Sequence, residues 1–272
     1  MIINTNAAAS AAIYSLDQTN VQLRRSLTRL SSGLRINSSV DDPGGLAVSM
    51  KLSAAMRRTD AVSANAGNAL TFLQTQDGVL QTANSVLLRM SELATLASDE
   101  ATTTDDDRAL YDAEFQELDG QLAGLLTEEF NGIPLFSDTG GTLSLKTSID
   151  GGQSMVITQA DLEEISTAVS GLDVTSSANA TAAADALDTQ IQALAVLRAT
   201  NGAEQSRVTF AQDILAVNRT NLEAANSQIM DANIAQESTN YARYSILADA
   251  GVAMLAQANT KAERALKLLE FS

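Results

Sequence analysis

Apolar residues recur every three or four positions along most of the chain, the spacing that gives an α-helix one apolar face. Residues 10–36 form the first such segment. Asp41-Asp42-Pro43 then predicts a helix start, because Asp caps free backbone amides and Pro fits the first turn. That second helix continues without Pro to about residue 98, roughly 80 Å at about 1.5 Å per residue, and a third is predicted over about 107–129. The seam of the first two helices consists of Leu16, Leu23, Leu27, Leu30, Leu34, Leu73, Leu80 and Leu87.

The period changes in the middle of the chain. Residues 142–158 alternate apolar and polar side chains around Gly151-Gly152, which predicts a β-hairpin. Helical spacing returns over 185–236, where it runs through Asn201-Gly202, and again over 243–269. The apolar positions of these two helices include Val208, Leu215, Leu222, Ile229, Leu247, Met254, Leu255, Leu266 and Leu269.

Heptad seams in both halves predict a mainly α fold, an antiparallel coiled-coil-like bundle of long helices with a small β-hairpin region. The N- and C-termini are then paired at one pole. Residues 1–40 and 238–272 are predicted to be the two halves of an inner core domain, and 41–237 a helical rod with its hairpin at about 138–172. Since no further element remains to cover the seams of the two ends, those ends either stay disordered or pack against other copies.

Composition and charge exclude several classes of function. Hydrophobic residues make up 45% of the 272 residues and aromatic residues only 4%, so the core must rely on Ala and Leu. The net charge of −16 is concentrated in 59–237 and disfavours nucleic acid or anionic lipid as the main partner. This distribution either sets the two chain ends apart from the middle or belongs to an ordinary acidic protein with unremarkable ends. The absence of Cys and His excludes disulfides, Cys nucleophiles, His bases and the common zinc sites.

The sequence contains no recognisable motif for catalysis, phosphate binding or metal binding. Gly140-Gly141 and Gly151-Gly152 have neither the spacing nor the Lys of a phosphate-binding loop. Asp105-Asp106-Asp107 lacks the ligand spacing of an EF-hand and is expected to cap a helix. Glu128-Glu129 has no visible partner that would separate the two pKa values. Asn218, in the heptad series, either fixes the helix register or is simply tolerated. We therefore expect no enzymatic activity, no cofactor and no metal site.

Several stretches resemble bacterial flagellin closely. Ile3-Asn4-Thr5-Asn6 stands at the N-terminus, and two longer stretches follow it at 30–37 and 41–47. Phe130-Asn131-Gly132 resembles the family's Phe-Asn-Gly turn. Residues 250–259, Ala-Gly-Val-Ala-Met-Leu-Ala-Gln-Ala-Asn, match near the C-terminus. Motifs of this length and order are highly specific to the family.

The resemblance covers about 1–137 and 185–272 and implies a structural subunit of the extracellular flagellar filament. It implies secretion through the flagellar type III apparatus without a cleaved signal peptide, which fits the absence of a basic start and apolar stretch in the first six residues. The implied partners are other copies of the chain, the filament cap, hook–filament junction proteins and an export chaperone at the C-terminal helix. Subunit assembly is assigned to Leu16, Leu23, Leu27, Leu30, Leu34, Leu247, Met254, Leu255, Leu266 and Leu269, and rod packing to Leu73, Leu80, Leu87, Val208, Leu215, Leu222 and Ile229.

The chain departs from the family pattern at its C-terminal end. Thr260-Lys261-Ala262-Glu263 stands where the family often has Pro, so the last helix is expected to run unkinked to Leu269. A hook–filament junction protein, which resembles flagellin at both ends, is the alternative, although the stretch 254–259 favours flagellin. An outer-surface coiled-coil adhesin would need an anchor that the sequence does not provide.

The resemblance also implies recognition by the host Toll-like flagellin receptor. Arg89, Leu93 and Glu114 match the local patterns that this receptor binds in the family. Arg89 and Leu93 are four positions apart and share one helix face. Alternatively, Arg89 and Glu114 pair with each other between two helices while Leu93 fills a seam.

Overall fold

The computed structural model describes residues 6–137, 141–148, 152 and 154–270, with the side chains of 262 and 265–270 outside the description. The helices are α1 (Ala7–Ser32), α2 (Pro43–Ser98), α3 (Asp105–Leu125), α4 (Glu163–Val169), α5 (Ser177–Met230) and α6 (Ile234–Glu270). The strands are β1 (Glu129–Phe130), β2 (Ile133–Pro134), β3 (Thr142–Lys146) and β4 (Ser154–Thr158). The predicted fold class, a mainly α bundle of long helices with a small β region, is confirmed.

The chain divides into two compact units. The terminal unit contains the described residues up to Ala55 and from Asn221 onward, and the central unit spans Met56–Thr220. Both divisions fall inside long helices, α2 and α5. The domain boundaries predicted at 40/41 and 237/238 stay a prediction about the assembled subunit.

Apolar seams from α2 and α5 form the core of the central unit, joined by α3 and the β region. Leu73, Leu80, Leu87, Val208 and Leu215 are fully or almost fully buried. Their seven-residue spacing keeps each side chain on the buried face of its helix. The seam residues Leu222 and Ile229 belong to the terminal unit and are half-buried.

A buried chain of amides joins α2 to α5 inside this core. Asn201 Nδ2 donates to Gln76 Oε1 at 2.6 Å, and Gln205 Nε2 donates to Asn201 Oδ1 at 2.6 Å. Gln76 Nε2 in turn donates to the Leu135 carbonyl at 2.7 Å. Buried amides that lose a partner are costly, so this chain fixes the register of the two helices. Asn218, the polar residue of the heptad series for which that role was open, is exposed.

The ends of α3 show local capping and one correction. Thr104 Oγ1 accepts from the Asp107 amide at 3.3 Å and Asp107 Oδ2 accepts from the Thr104 amide at 3.1 Å, so the predicted cap at the acidic run is confirmed. The hydrogen bond from the Thr104 hydroxyl holds the pKa of Asp107 below its usual value. The predicted end at 129 was wrong. The helix ends at Leu125, where the Leu126 and Thr127 amides donate to the carbonyls three residues before them at 3.3 and 3.2 Å. Asn131 and Gly132, both with positive φ, then turn β1 back onto β2 as a two-residue hairpin.

The predicted hairpin at 142–158 is confirmed as the antiparallel pair β3–β4, in which Leu145 lies opposite Met155. Ile149 and Gly151 lie outside the described residues. Both oxygens of the buried Glu204 carboxylate on α5 accept from the Thr158 amide, at 3.1 and 3.2 Å, which anchors β4 on the helix. The short helix α4, within the region assigned to the hairpin, was not predicted.

Several other helix boundaries differ from the prediction. Helix α1 spans Ala7–Ser32 and not 10–36, because Gly33 ends it in a left-handed conformation, and α3 begins at Asp105 and not at 107. Helix α5 begins at Ser177 and not at 185, because the Ser176 hydroxyl accepts from the Asn179 amide at 3.2 Å and the Ala-rich start favours helix. It continues through Asn201-Gly202, as predicted, and ends at Met230. Helix α6 begins at Ile234 and not at 243, because Asn233 Oδ1 accepts from the Gln236 amide at 3.2 Å. The predicted unbroken last helix is confirmed, since α6 continues to Glu270.

The burial of the central seam gives a stability prediction. Leu80→Ala should lower the free energy of unfolding by about 2–5 kcal/mol, because it removes a fully buried side chain from a packed seam. Leu88→Ala, on the exposed face of the same helix, is the matched control and should change it by less than about 0.5 kcal/mol. Urea unfolding of the monomer followed by circular dichroism measures both, and equal losses would contradict the assignment of this face.

Asp119 gives a pH-dependent prediction. Its Oδ1 is buried and no described residue donates a hydrogen bond to it, and burial raises the pKa of this carboxyl. A raised folded-state pKa means that its contribution to stability is complete below the ordinary pKa of about 3.9 and is lost as the pH rises through the folded-state value. Asp119→Asn should therefore unfold at a higher temperature than the wild type at pH 7, with the difference shrinking toward pH 3. A constant difference would contradict this account.

Candidate assembly surface

Local interactions at its two ends position α1 in the terminal unit. Asn6 Oδ1 accepts from the Ala9 amide at 3.1 Å, and Asn6 Nδ2 donates to the Ala258 carbonyl of α6, also at 3.1 Å. At the other end Gly33, with φ 72°, ends the helix in a left-handed conformation that favours glycine. The Arg35 amide then donates to the Met230 carbonyl at 2.6 Å. Both ends of α1 are therefore tied to the C-terminal part of the chain, with α1 and α6 antiparallel.

A buried polar contact joins the two helices near the C-terminal end of α1. The Ser26 hydroxyl donates to Glu237 Oε1 at 2.5 Å, and the Arg29 guanidinium lies 3.9 Å from Glu237 Oε2. Ser26 and Glu237 are both buried. Because a buried carboxylate without a partner is costly, these contacts fix which face of α1 meets α6.

Small residues let the two helices approach closely. A Cβ added at Gly251 would stand 3.1 Å from Leu16 Cδ1, so glycine at this position makes room for the leucine. Close packing of this kind covers only a narrow strip of each helix. Leu16, Leu23, Leu30 and Leu255 are half-buried, as is Leu34 just beyond the end of α1.

A second set of large apolar residues on the same helices is exposed. Of the predicted assembly residues, Leu27 is 54% exposed, Met254 is 65% exposed and Leu247 is also exposed, while the side chains of Leu266 and Leu269 lie outside the described residues. Also exposed are five large apolar residues that are not among the predicted assembly residues: Ile13, Tyr14, Val21, Ile246 and Val252. We call Leu27, Leu247, Met254 and these five residues the terminal apolar surface. Apolar side chains gathered on one helix pair mark an interaction surface.

The three residues predicted to bind the receptor lie in the central unit. Arg89 Nε donates to Glu114 Oε1 at 2.8 Å, and Arg89 NH1 donates to Glu92 Oε2 at 2.7 Å. These hydrogen bonds lower the pKa of Glu114 and raise the pKa of Arg89. Leu93 is 1% exposed. The structure therefore has Arg89 paired with Glu114 at the surface and Leu93 in the core, the arrangement that the alternative interpretation described.

No cluster of acidic residues that could hold a metal ion occurs among the described residues. None of the described helices has both the length and the apolar composition needed to cross a membrane.

Comparison with known proteins decides the family. Residues 3–140 match the model of the bacterial flagellin N-terminal helical region, and residues 184–269 match that of the C-terminal helical region. The chain belongs to the bacterial flagellin family. Flagellins are structural subunits of the extracellular flagellar filament and not enzymes, so the predicted function is confirmed in those terms.

The similarity to other flagellins extends over almost the whole chain. The flagellin of Halalkalibacterium halodurans is 38% identical over 272 residues, covering 99% of this chain and all of the relative. That of Bacillus subtilis is 31% identical over 307 residues with the same coverage of the two proteins. The crystal structure of Bacillus cereus flagellin aligns with a TM-score of 0.51 and 26% identity, covering 60% of this chain and 94% of that one. The resemblance inferred from the terminal motifs is thus confirmed.

Proposed function

We propose that the terminal apolar surface is where copies of this flagellin bind one another in the inner core of the filament. The observation that carries the proposal is the exposure of large apolar residues on an α1–α6 pair whose own contact buries only a narrow strip. Because flagellins self-polymerise, the partner that binds this surface is a second copy of the chain. Covering this surface removes apolar area from water, which drives association.

The half-buried leucines have a different part in this proposal. Leu16, Leu23, Leu30 and Leu255 hold α1 against α6, and Leu34 holds the connection after α1. Together they present the exposed residues in a fixed array. Leu266 and Leu269 would extend the array toward the C-terminus. The two ends, 1–40 and 238–272, then act together as the inner core domain of the subunit.

The family also suggests further partners. We propose export through the flagellar type III apparatus, with a chaperone that covers the C-terminal helix until assembly. The exposed Met254 and Val252 on α6 suit such a chaperone, because an apolar surface needs cover before it reaches its partner. The filament cap and the hook–filament junction proteins would bind copies at the two ends of the polymer.

A second proposed role concerns the host receptor, through Arg89 and Glu114. Their side chains are 43% and 46% exposed and lie together, so a partner can reach both. Leu93 would contribute by packing beneath Arg89 and holding its helix face in place.

Assembly is tested first with variants at the terminal apolar surface. Met254→Asp in the full-length protein should leave the helical content of the monomer unchanged and strongly reduce salt-induced polymerisation, because it places a charge in the copy–copy contact. Removal of residues 250–272 should abolish polymerisation. Leu110→Asp, at an equally exposed apolar position in α3, is the control and should polymerise normally. Sedimentation and electron microscopy measure the outcome, and filaments formed by the truncated chain would contradict the proposal.

Receptor recognition has its own test. Wild-type monomer should stimulate receptor-bearing cells, and Arg89→Ala should weaken the response without changing the unfolding temperature by more than a few degrees, since surface ion pairs contribute little to stability. Arg219→Ala is the matched control, because Arg219 also makes an exposed contact, 2.6 Å from Asp60. A silent wild-type monomer, or equal losses in both variants, would refute this role.

A further inference from the structure

Helix α5 carries a second heptad series that faces away from the core. The series alternates steps of four and three residues, the spacing of a coiled-coil seam. Phe210 is 66% exposed and Ile214 is 61% exposed, although both are large and apolar. We call this series the outer seam; its members, all exposed, are Val196, Thr200, Ala203, Arg207, Phe210, Ile214 and Val217.

A groove of about 680 Å³ opens elsewhere on the same central unit. It lies between α2 and the two hairpins, and Phe72 and Phe130 meet in it edge to face with ring centroids 6.2 Å apart. Ile133, Leu143 and Ile157 complete its apolar walls, and none of its lining residues is charged. A groove this apolar suits a row of apolar side chains from another helix.

The outer seam and the groove face different directions. Phe210 borders the shallow depression that Leu70 and Gln74 line, whereas the main groove is lined by Asn68 and Phe72. Successive residues of an α-helix lie about 100° apart around its axis. Leu70 is therefore about 200° from Asn68, and Gln74 is about 200° from Phe72. Because the outer seam and the groove lie on roughly opposite sides of α2, the outer seam of one copy can meet the groove only of another copy.

Charge favours this pairing. The central unit, residues 56–220, contains 24 acidic and 8 basic side chains, so the central units of two copies repel each other over most of their surfaces. The outer seam carries a basic residue, Arg207, while two exposed acidic residues, Glu128 and Glu129, directly precede the groove residue Phe130 in the chain. A contact between outer seam and groove therefore replaces repulsion by attraction at its edge and buries apolar area at its centre.

We infer that in the filament the outer seam of one flagellin lies in the groove of a neighbouring copy. This inference rests on the proposed function, in that the partner is a second copy, but it uses residues of the central unit alone. Such a contact joins two different surfaces, so each copy keeps one of them free for the next copy. A heterologous contact of this kind that does not close on itself produces an open helical polymer.

Substitution of exposed residues tests the energetics in the full-length protein. Ile214→Asp and Ile133→Asp should each raise the lowest concentration at which filaments form by about tenfold or more, because either one buries an unpaired charge in the contact. Leu110→Asp is again the control, and normal circular dichroism spectra verify that the variants fold. Filament formation by both variants at the wild-type concentration would overturn the inference.

Cross-linking tests whether the outer seam and the groove of two copies meet. Because the chain has no native Cys, only the introduced cysteines react. Copies that carry Phe210→Cys are mixed with copies that carry Ile133→Cys, polymerised, and treated with a short bismaleimide. The expected product is a dimer that joins the two positions, formed in filaments and not in monomer solution. If Phe210→Cys copies give as much dimer with Leu110→Cys copies as with Ile133→Cys copies, the inference is wrong.

The two sets of tests separate this inference from the proposed function. If the truncated chain still polymerises while Ile214→Asp does not, the terminal apolar surface fails as the assembly site and the outer seam stands. If truncation abolishes filaments while Ile214→Asp and Ile133→Asp polymerise normally, the outer seam fails and the proposed function stands.

Discussion

Hydrogen bonding between amides that are far apart in sequence is the constraint on which the central unit depends. Gln76 and Asn201 are 125 residues apart, yet they meet inside an apolar seam. Leucine and alanine seams can slide by a heptad with little change in packing, whereas a buried amide that loses its partner cannot be tolerated. Because Gln76 also donates to the Leu135 carbonyl, the same contact fixes the segment after the first hairpin. The groove of the central unit owes its shape to this register.

Composition explains why so much apolar surface remains on the outside. With aromatic residues at only 4% of the chain, the helices pack through small side chains and cover narrow strips of each other. Gly251 beside Leu16 shows how close that approach is within the terminal unit. A long helix with one narrow buried strip leaves other faces open to solvent, and α5 uses one such face for the outer seam. The thin core of a single copy and the binding capacity of its surface therefore have the same origin.

The sequence predicts the long helices well because heptads repeat many times within each, so single exceptions do not hide the period. The sequence predicts the structure less well where an element depends on one turn or one helix cap. The β1–β2 hairpin rests on two residues, Asn131 and Gly132, whose resemblance to the family's Phe-Asn-Gly turn did not predict the paired strands on either side. The short gap between α5 and α6 was placed too late because the Asn233 cap was not recognised. Periodicity also could not separate the buried Asn201 from the exposed Asn218, since both fit the series and only the position of Gln76 distinguishes them.

For the assembly surface, periodicity identified the right helices but not the side of each that stays open. Leu23 and Leu27 both fit the first seam, yet one is half-buried and the other exposed, because the Ser26–Glu237 contact rotates α1 to a particular face. That contact lies between residues 211 positions apart, which no local pattern can reveal. The outer seam is hidden for a related reason. Its Thr200, Ala203 and Arg207 interrupt the apolar pattern, and these same interruptions keep the surface of a single copy polar enough to remain dispersed until a neighbour covers it.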